Sequence, residues 1–358
     1  MRKNLYVVLM AGGIGSRFWP YSRNSQPKQF LDVLGVGESL LQMTYQRFRK
    51  MVDPENILIV TNTDYVDKVK NQLPELADNQ ILAEPIGRNT APCIAYAAYK
   101  IRERDPNSVM VVSPADHAIF DEEMFIETVN AAIEKAEETD ALLTIGIKPH
   151  KPETQYGYIQ FLESEGKVKK VKTFTEKPHK ELAVKFLESG DFLWNSGIFI
   201  WSLKSIINAF EEYAQDIAET FSEGAGLYDT DEEVKFIERS YSHCKNISID
   251  YAIMEKSENV FVVKGDFRWS DLGSWNAIHE MKKADEDGNV ADGKVTFLNS
   301  NNCYVKSCDP KKVILVDGLD NFLVTDCEDV LLITPKGDAA KIKQYAKKVK
   351  DNWGETYL

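Results

Sequence analysis

The chain has 358 residues, 43% of them hydrophobic and 28% charged, which is typical of a globular protein that buries a sizeable core. Its formal net charge of −13 at pH 7 and isoelectric point near 5.0 disfavour binding to nucleic acid or to an anionic membrane. A phosphate-bearing ligand would therefore have to be held by a local cluster of donors.

Short aliphatic or β-branched segments alternate with longer amphipathic ones in the first 280 or so residues. The predicted strands are Leu5–Met10, Ile57–Thr61, Ile81–Ala83, Val109–Ser113, Ala141–Gly146, Ile198–Trp201 and Val260–Val263. The predicted helices are one capped by Ser39 that ends at Met51, one capped by Thr90 that ends at Arg104, Glu122–Glu137 and Ser274–Lys283. This alternation predicts an α/β fold with a doubly wound, mostly parallel, Rossmann-like sheet, whose ligands lie at the carboxyl ends of the strands.

The pattern changes after Asp285, where a turn-rich link is followed by short strand-like segments that no long helix separates. These segments are Asn302–Val305, Val313–Val316, Asn321–Val324 and Val330–Ile333, and an amphipathic helix over Asp338–Lys350 follows them. They predict a small β-rich domain of stacked β turns, either a small sheet or a β-helix similar to the left-handed kind. We therefore expect domains of residues 1–285 and 286–358, with the second away from the site and pairing with another copy in a homodimer.

The cysteines and the apolar segments indicate the cellular compartment of the protein. Five cysteines, an odd number without a Cys-x-x-Cys pair, argue against a disulfide framework or a thiolate metal site. The apolar segment Leu5 to Ala11 is short for a signal-peptide core, and no segment approaches the roughly 18 apolar residues of a membrane span. We expect an unprocessed, soluble, cytoplasmic protein.

The segment from Leu9 to Pro20 follows the first predicted strand and reads Leu-Met-Ala-Gly-Gly-Ile-Gly-Ser-Arg-Phe-Trp-Pro; we call it the signature segment. Its glycines let the backbone approach an anion, and successive exposed N–H groups with the guanidinium of Arg17 form a nest for phosphate oxygens. The third glycine of the dinucleotide-binding fingerprint is missing, and no Gly-Lys-Ser/Thr follows. A dehydrogenase and a kinase are therefore disfavoured.

The signature segment, together with Pro27-Lys28-Gln29-Phe30, resembles that of nucleotidyltransferases that activate sugar 1-phosphates, in the mannose-1-phosphate guanylyltransferase branch. Further matching motifs are Glu84 to Pro92, Pro114 to His117, Phe174 to Pro178, Trp194 to Phe199 and Trp269 to Trp275. The resemblance implies that GTP and mannose 1-phosphate are the substrates and that GDP-mannose and pyrophosphate are the products. Longer members carry an isomerase domain, which is not expected here.

The resemblance also implies the residues that bind the nucleotide. Glu84 would accept hydrogen bonds from N1–H and the exocyclic amine of guanine, whereas adenine has no donor at N1. The implied nucleotide-binding residues are Ala11, Gly12, Gly13, Gly15, Ser16, Arg17, Glu84, Gly87, Arg88 and Asn89. For Arg88 and Asn89, a helix cap or a surface group is the alternative.

The sugar phosphate is assigned in the same way. The implied residues are Gly157, Glu176, Lys177, Asn195 and Asp271. Lys177 would hold the phosphate, and the Glu176 carboxylate, the Asn195 amide and Gly157 would meet sugar hydroxyls. Lys28 would lie near the α-phosphorus of the nucleotide. Solvated lysines, and a turn at Asn195, are the structural alternatives.

Two aspartates follow predicted strands and can reach the same edge of the sheet. Asp116 comes after Val109–Ser113 and Asp271 after Val260–Val263. Hard oxygen ligands from two loops suit Mg²⁺, which completes its shell with phosphate and water, so the pair predicts a magnesium site. Capping of the next element is the alternative. The implied catalytic set is Arg17, Lys28, Asp116, Lys177 and Asp271, with no protein nucleophile.

Two other functions stay open besides the disfavoured dehydrogenase. An enzyme for glucose 1-phosphate and another nucleotide would share the signature segment and the aspartates. A catalytically silent regulator that binds nucleotide sugar should have lost charge at Arg17, Asp116 or Asp271, and all three residues are present.

Overall fold

The computed structural model describes residues 2–337 and 339–358. Within them, the strands are β1 (Leu5–Met10), β2 (Ile57–Asn62), β3 (Ile81–Glu84), β4 (Val109–Pro114), β5 (Ala118–Ile119), β6 (Leu142–Ile147), β7 (Tyr158–Phe161), β8 (Val168–Thr175), β9 (Phe192–Ser202), β10 (Val260–Gly265), β11 (Trp269–Ser270), β12 (Val290–Asp292), β13 (Lys294–Leu298), β14 (Tyr304–Ser307), β15 (Val313–Asp317), β16 (Phe322–Cys327) and β17 (Val330–Pro335). The α-helices are α1 (Leu40–Phe48), α2 (Val66–Gln72), α3 (Thr90–Arg104), α4 (Glu122–Glu138), α5 (Lys180–Ser189), α6 (Leu203–Tyr213), α7 (Gln215–Ser222), α8 (Glu233–His243), α9 (Trp275–Met281) and α10 (Ala340–Trp353).

The described residues form two compact units, each discontinuous in sequence. The first unit holds those of Met1–Gly12, Gln42–Ala115 and Ile119–Trp269, and the second holds those of Gly13–Leu41, Asp116–Ala118 and Ser270–Leu358. Most of the signature segment therefore belongs to the same unit as the C-terminal strands. The domain boundary at residue 285 stays a prediction.

A nine-stranded sheet, in the order β3-β2-β1-β4-β9-β6-β10-β8-β7, forms the centre of the first unit. The strands β1 to β4 pair in parallel, as do β6 and β10, whereas β9 runs antiparallel to β4 and β6. Almost every side chain of β1 and β2 is buried, which is typical of parallel strands covered on both faces. The expected α/β class is confirmed, but the sheet is mixed rather than mostly parallel, because β8 and β7 also pair antiparallel with their neighbours.

The bounds of β9 differ most from the sequence prediction. The strand was expected over Ile198–Trp201 but begins at Phe192, because its polar central residues are held inside the sheet. The Ser196 hydroxyl donates to the carbonyl of Ile145 at 2.7 Å, where the register of β6 and β9 shifts. A bulge of this kind keeps a polar segment within a strand, whereas the pattern of apolar residues predicts that the strand begins only after it.

One helix cap was assigned to the wrong residue. Thr90 is the first residue of α3, and the preceding Asn89 caps the helix, its side-chain oxygen accepting from the Thr90 N–H at 2.9 Å. Asparagine suits this position because it tolerates positive φ, which is 67° here. The helices between residues 203 and 243 were not predicted.

Parallel strands are stacked in the C-terminal part of the second unit. The strands β12, β14 and β16 pair side by side in parallel, β13 pairs in parallel with β15, and β17 turns back antiparallel to β16. Successive coils of the chain thus lie on one another, which confirms a β-rich C-terminal region. The left-handed sense of the coil stays a prediction. The expected closing helix is present as α10, while its predicted first residue, Asp338, lies outside the described residues.

The C-terminal residues support the signature segment. Phe18 packs edge-on against Trp275 with ring centroids 5.2 Å apart, and Trp275 in turn lies 5.6 Å from Tyr304. The Trp19 indole N–H donates to the carbonyl of Tyr357 at 2.6 Å. The expectation that the residues after 285 lie away from the predicted site is therefore wrong, because they bury aromatic side chains of the signature segment.

One disulfide bond departs from the expectation drawn from the cysteines. Cys308 directly follows β14 and Cys327 ends the neighbouring strand β16; their Cα atoms are 4.9 Å apart, and their sulfurs are bonded. Cys93, Cys244 and Cys303 are buried thiols. Among the described residues, none of the helices combines the length and the apolar character that a membrane crossing requires.

Candidate active site

The signature segment presents a run of unused backbone donors. Ala11 still belongs to the sheet, where its N–H donates to Val60 and its carbonyl accepts from Thr61, so it contributes no donor. The N–H groups of residues 12–17 have no hydrogen-bond acceptor within residues 2–337 and 339–358. Gly12 and Gly13 are exposed, and Gly15 and Ser16 are half-buried. Consecutive free donors at a turn of this kind form a nest for an anion.

Arg17 lies in the same run, on the short 3₁₀ turn Ser16–Phe18. Its guanidinium is half-exposed and makes no ion pair with any acid in the described part of the chain. An unpaired planar fork of donors beside free N–H groups is suited to phosphate oxygens. The contact of Arg17 with nucleotide phosphate stays a prediction.

Lys28 is buried rather than solvated, with 3% of its surface exposed. Its Nζ donates to Asp116 Oδ2 at 2.9 Å and to the carbonyl of Asp271 at 2.5 Å. A Cβ on Gly15, whose φ is 72°, would lie 2.4 Å from the Lys28 Cβ, so only glycine lets the lysine lie there. The alternative of a solvated lysine is wrong for Lys28.

The two predicted metal ligands are brought together by that ammonium. Burial opposes ionisation of Asp116, but the charges of Lys28 and His117 outweigh it and hold the pKa of the Asp116 carboxyl below its ordinary value. Asp271 Oδ1 accepts from the Gly273 N–H at 2.8 Å. No group of three or more His, Cys, Asp and Glu side chains suited to a metal occurs among the described residues. Two carboxylates fit Mg²⁺, which takes its remaining ligands from phosphate and water.

Three non-glycine residues of the predicted motifs have left-handed backbone conformations. The angle φ is 67° at Asn89, 48° at Lys177 and 45° at Leu272, which follows Asp271. Such conformations are unfavourable for residues with a Cβ and concentrate where the surrounding structure enforces a functional geometry. Their positions support the choice of these motifs.

Glu84 ends β3 and is buried, with 6% of its surface exposed. Its Oε1 accepts from the Tyr241 hydroxyl at 2.9 Å, and a Cβ on Gly12 would lie 3.3 Å from its Oε2. Burial raises the pKa of Glu84 to about 7, although the bond from Tyr241 opposes the shift. Glu84 is thus a carboxyl whose pKa lies near neutral pH.

The other residues predicted at the base have structural partners. The Arg88 guanidinium donates to the carbonyls of Tyr241 and Ser242 at 3.1 and 3.4 Å, near the end of α8. Asn89 caps α3, as described above, and Gly87 is exposed. The capping alternative is therefore realised for both polar residues, and their contact with nucleotide stays a prediction.

Four of the predicted sugar-phosphate residues, Gly157, Glu176, Lys177 and Asn195, are grouped in the first unit. The Asn195 N–H donates to the Gly157 carbonyl at 2.8 Å. A Cβ on Gly157 would lie 2.5 Å from Glu176 Oε2, so glycine leaves room for that carboxylate. Glu176 is ion-paired with Lys177, whose side chain is exposed. The fifth residue, Asp271, belongs to the second unit.

Two residues of these groups were missed by the sequence analysis. Tyr241 is bonded to Glu84, and Asp250 Oδ1 accepts from Asn195 Nδ2 at 2.9 Å. Burial and the neighbouring charge of Glu176 raise the pKa of Asp250 to about 6. Neither residue stands in a motif used above, and only the fold brings them to their partners across 157 and 55 positions of sequence.

Comparison with known proteins gives consistent matches. A sequence profile described as nucleotidyl transferase matches residues 6–288. The chain is 36% identical to a mannose-1-phosphate guanylyltransferase of Klebsiella pneumoniae over 99% of this chain and 75% of that protein, and 35% identical to one of Escherichia coli over the same shares. A structure described as mannose-1-phosphate geranyltransferase from Thermus thermophilus superposes with a TM-score of 0.86 and 30% identity, covering 97% of this chain and 99% of that one.

Glu84→Gln should stabilise the protein more at pH 8 than at pH 5. The folded protein keeps the Glu84 proton up to a pKa of about 7, whereas the unfolded chain loses it near the ordinary value of 4.5. The folded state therefore binds more protons in this window, and wild-type stability falls as the pH rises through it. Glutamine has no such proton, so urea unfolding should show a gain of about 2 kcal/mol relative to wild type between the two pH values.

The matched control is Glu238→Gln, at an exposed position of α8. Its unfolding free energy should keep a constant difference from wild type across the same pH range. Equal pH dependence of the two variants would contradict the shifted pKa of Glu84.

Proposed function

Because the chain belongs to the nucleotidyl transferase family, and within it to the mannose-1-phosphate guanylyltransferases, we propose that it transfers GMP from GTP to α-D-mannose 1-phosphate. The products are GDP-mannose and pyrophosphate. The observation that supports this most directly is the run of free N–H groups at residues 12–17, with the buried Lys28–Asp116 pair against Gly15.

The reaction is a direct in-line displacement. A phosphate oxygen of mannose 1-phosphate forms the new bond to the α-phosphorus of GTP, and the bond to the bridging oxygen of pyrophosphate breaks on the opposite side. The attacking oxygen is already anionic at neutral pH, so a protein base has little to add. The obstacle is repulsion and alignment of two polyanions, and positioned donors address both.

The signature segment, with Lys28 and the two aspartates, supplies the groups that hold the triphosphate. The N–H groups of the signature segment and the Arg17 guanidinium donate to phosphate oxygens, and Asp116 and Asp271 would hold Mg²⁺. When bound, the metal offsets phosphate charge and stabilises the charge that develops in the transition state. Lys28 keeps Asp116 ionised and fixed in place, and its ammonium adds positive charge for the phosphates near the α-phosphorus.

The first unit supplies the groups that select base and sugar. Glu84 Oε2 accepts from the guanine edge while Tyr241 occupies Oε1. The exposed ammonium of Lys177 binds the sugar phosphate. Glu176 accepts from sugar hydroxyls, and the Asn195 amide donates to another.

The alternatives from the sequence are less well supported. A glucose 1-phosphate enzyme would use the same phosphate groups, but the named relatives act on mannose 1-phosphate. A silent regulator is disfavoured because Arg17, Lys28 and both aspartates are present and grouped in the second unit.

A homodimer and a cytoplasmic location complete the proposal. Within the described residues β15 pairs only with β13, which leaves its other edge open. On that strand Val313 and Leu315 are 68% and 63% exposed. Open edges with exposed aliphatic side chains are sites where a second strand pairs, and another copy of the chain is the proposed partner.

The substrate pair is tested with a matrix of four nucleoside triphosphates against mannose and glucose 1-phosphates, read out by pyrophosphate release. GTP with mannose 1-phosphate should give the highest kcat/KM. In Glu84→Gln a donor replaces an acceptor opposite guanine, so the GTP to ATP ratio should fall roughly tenfold or more. An unchanged ratio would show that other groups read the base, and a different best pair would overturn the proposed substrates.

The two aspartates should respond differently to neutralisation. Lys28 donates to the backbone carbonyl of Asp271, and Asp271 Oδ1 accepts from the Gly273 N–H, two bonds that asparagine can keep, so Asp271→Asn should lower kcat on the order of 100-fold and leave Tm unchanged. Asp116→Asn should also lower Tm, because it leaves the buried Lys28 charge without its carboxylate, a loss of about 3 kcal/mol. Adding Lys28→Met should restore Tm but not turnover. Normal turnover of Asp271→Asn at limiting Mg²⁺ would show that this aspartate is a structural cap.

Val313→Glu should convert the dimer to monomer in light scattering, because it places a charge on the open edge of β15. Val234→Glu is the control, since Val234 is 66% exposed on α8 in the first unit. The control should keep the dimer mass. A dimer of undiminished strength in Val313→Glu would refute this role for β15.

A further inference from the structure

The side-chain amide of Asn195 is held in one orientation. Its Oδ1 accepts from the Gly197 N–H at 3.1 Å and from the Thr144 hydroxyl at 2.9 Å, and its Nδ2 donates to Asp250 Oδ1 at 2.9 Å. A backbone N–H can only donate and an ionised carboxylate can only accept, so the amide cannot be reversed without loss of both bonds. Asp250 is the acceptor of the Asn195 nitrogen, and together with the Gly197 N–H and the Thr144 hydroxyl it fixes where that nitrogen points.

Asp250 is itself fixed by an uncommon piece of backbone. It begins a π-helical turn, Asp250–Met254, and the Glu255 N–H donates to its carbonyl at 2.9 Å. The preceding residue, Ile249, donates its N–H to the Thr90 hydroxyl at the start of α3, also at 2.9 Å. Turns of this type are rare and often occur at functional sites. The carboxylate is thus aimed at Asn195 from a separately anchored element.

Gly157 lies against both Glu176 and Asn195. A Cβ on it would lie 2.5 Å from Glu176 Oε2 and 3.3 Å from the Asn195 Cβ, so the two side chains flank this glycine. Asp250 is half-buried, and the charge of Glu176 reaches it. Two carboxylates and one oriented amide thus form a set of hydrogen-bonding groups in fixed directions.

We propose that Asp250 is a positioning residue that sets the hexose preference of the enzyme by orienting the Asn195 amide. One N–H of Asn195 donates to Asp250, and the second has no partner among the described residues, so it is directed to a sugar hydroxyl. Hexose 1-phosphates differ in the directions of their hydroxyls, and a fixed donor distinguishes them where a mobile one does not. The inference rests on the proposed function.

The test compares Asp250→Ala with Asp250→Asn. In Asp250→Ala the amide loses its acceptor, so KM for mannose 1-phosphate should rise roughly tenfold and the preference over glucose 1-phosphate should fall similarly. KM for GTP and Tm should stay at the wild-type values. In Asp250→Asn the new amide oxygen still accepts from Asn195, and KM should stay within about threefold of wild type.

A double-mutant cycle separates positioning from a direct contact. If Asp250 acts through Asn195, Asp250→Ala should have almost no further effect on KM in an Asn195→Ala background. Independent, multiplicative effects would overturn the inference, as would a parallel rise of KM for GTP or a matching loss of Tm. Lys256→Ala, exposed just beyond the π-helical turn, controls for general disturbance and should match wild type.

Wild-type turnover distinguishes the two levels of failure. No GDP-mannose formed by the wild-type protein would overturn the proposed function and this inference with it. GDP-mannose formed by wild type, with an unchanged mannose to glucose ratio in Asp250→Ala, would overturn this inference alone.

Discussion

The burial of one ammonium group organises the second unit. Lys28 is almost inaccessible to water, and a buried charge is tolerated only when it is paired and hydrogen-bonded. The Asp116 carboxylate and the Asp271 carbonyl meet this requirement, so the lysine joins three segments that are far apart in sequence. Gly15 must lack a side chain for the lysine to lie there, which explains a glycine of the signature segment by packing as well as by anion binding.

The aromatic side chains of the signature segment explain why the C-terminal region matters for the site. Phe18 and Trp19 are large apolar groups on a loop of few residues, and burying them requires surface from elsewhere in the chain. Trp275, Tyr304 and the end of the chain supply it in the second unit. Packing on the aromatic residues of the loop thus holds its backbone in the conformation that leaves these N–H groups free. A β-rich region without predicted ligands therefore contributes to preorganisation of the proposed phosphate nest.

In the first unit, the proposed selectivity depends on carboxyl groups that burial makes expensive to ionise. Glu84 and Asp250 both have raised pKa values; Glu84 accepts from Tyr241, which limits the rise, and Asp250 accepts from Asn195, which fixes the geometry. Such groups are worth more in recognition than exposed acids, because an unmatched ligand leaves them without a partner in a poorly solvated place. Base and sugar selection would thus both depend on a buried carboxyl group with a raised pKa.

The sequence by itself determined the elements with strong local periodicity and the motifs that follow them. The strand β1 and the start of α4 were predicted at their observed residues, since apolar spacing reports local burial. Tertiary structure alone decided that Lys28 is buried, that Arg88 binds the end of α8, and that Asp250 meets Asn195. These pairings join residues distant in sequence, and a side chain's partner depends on which elements the sheet brings together. Local pattern carries no information on that choice.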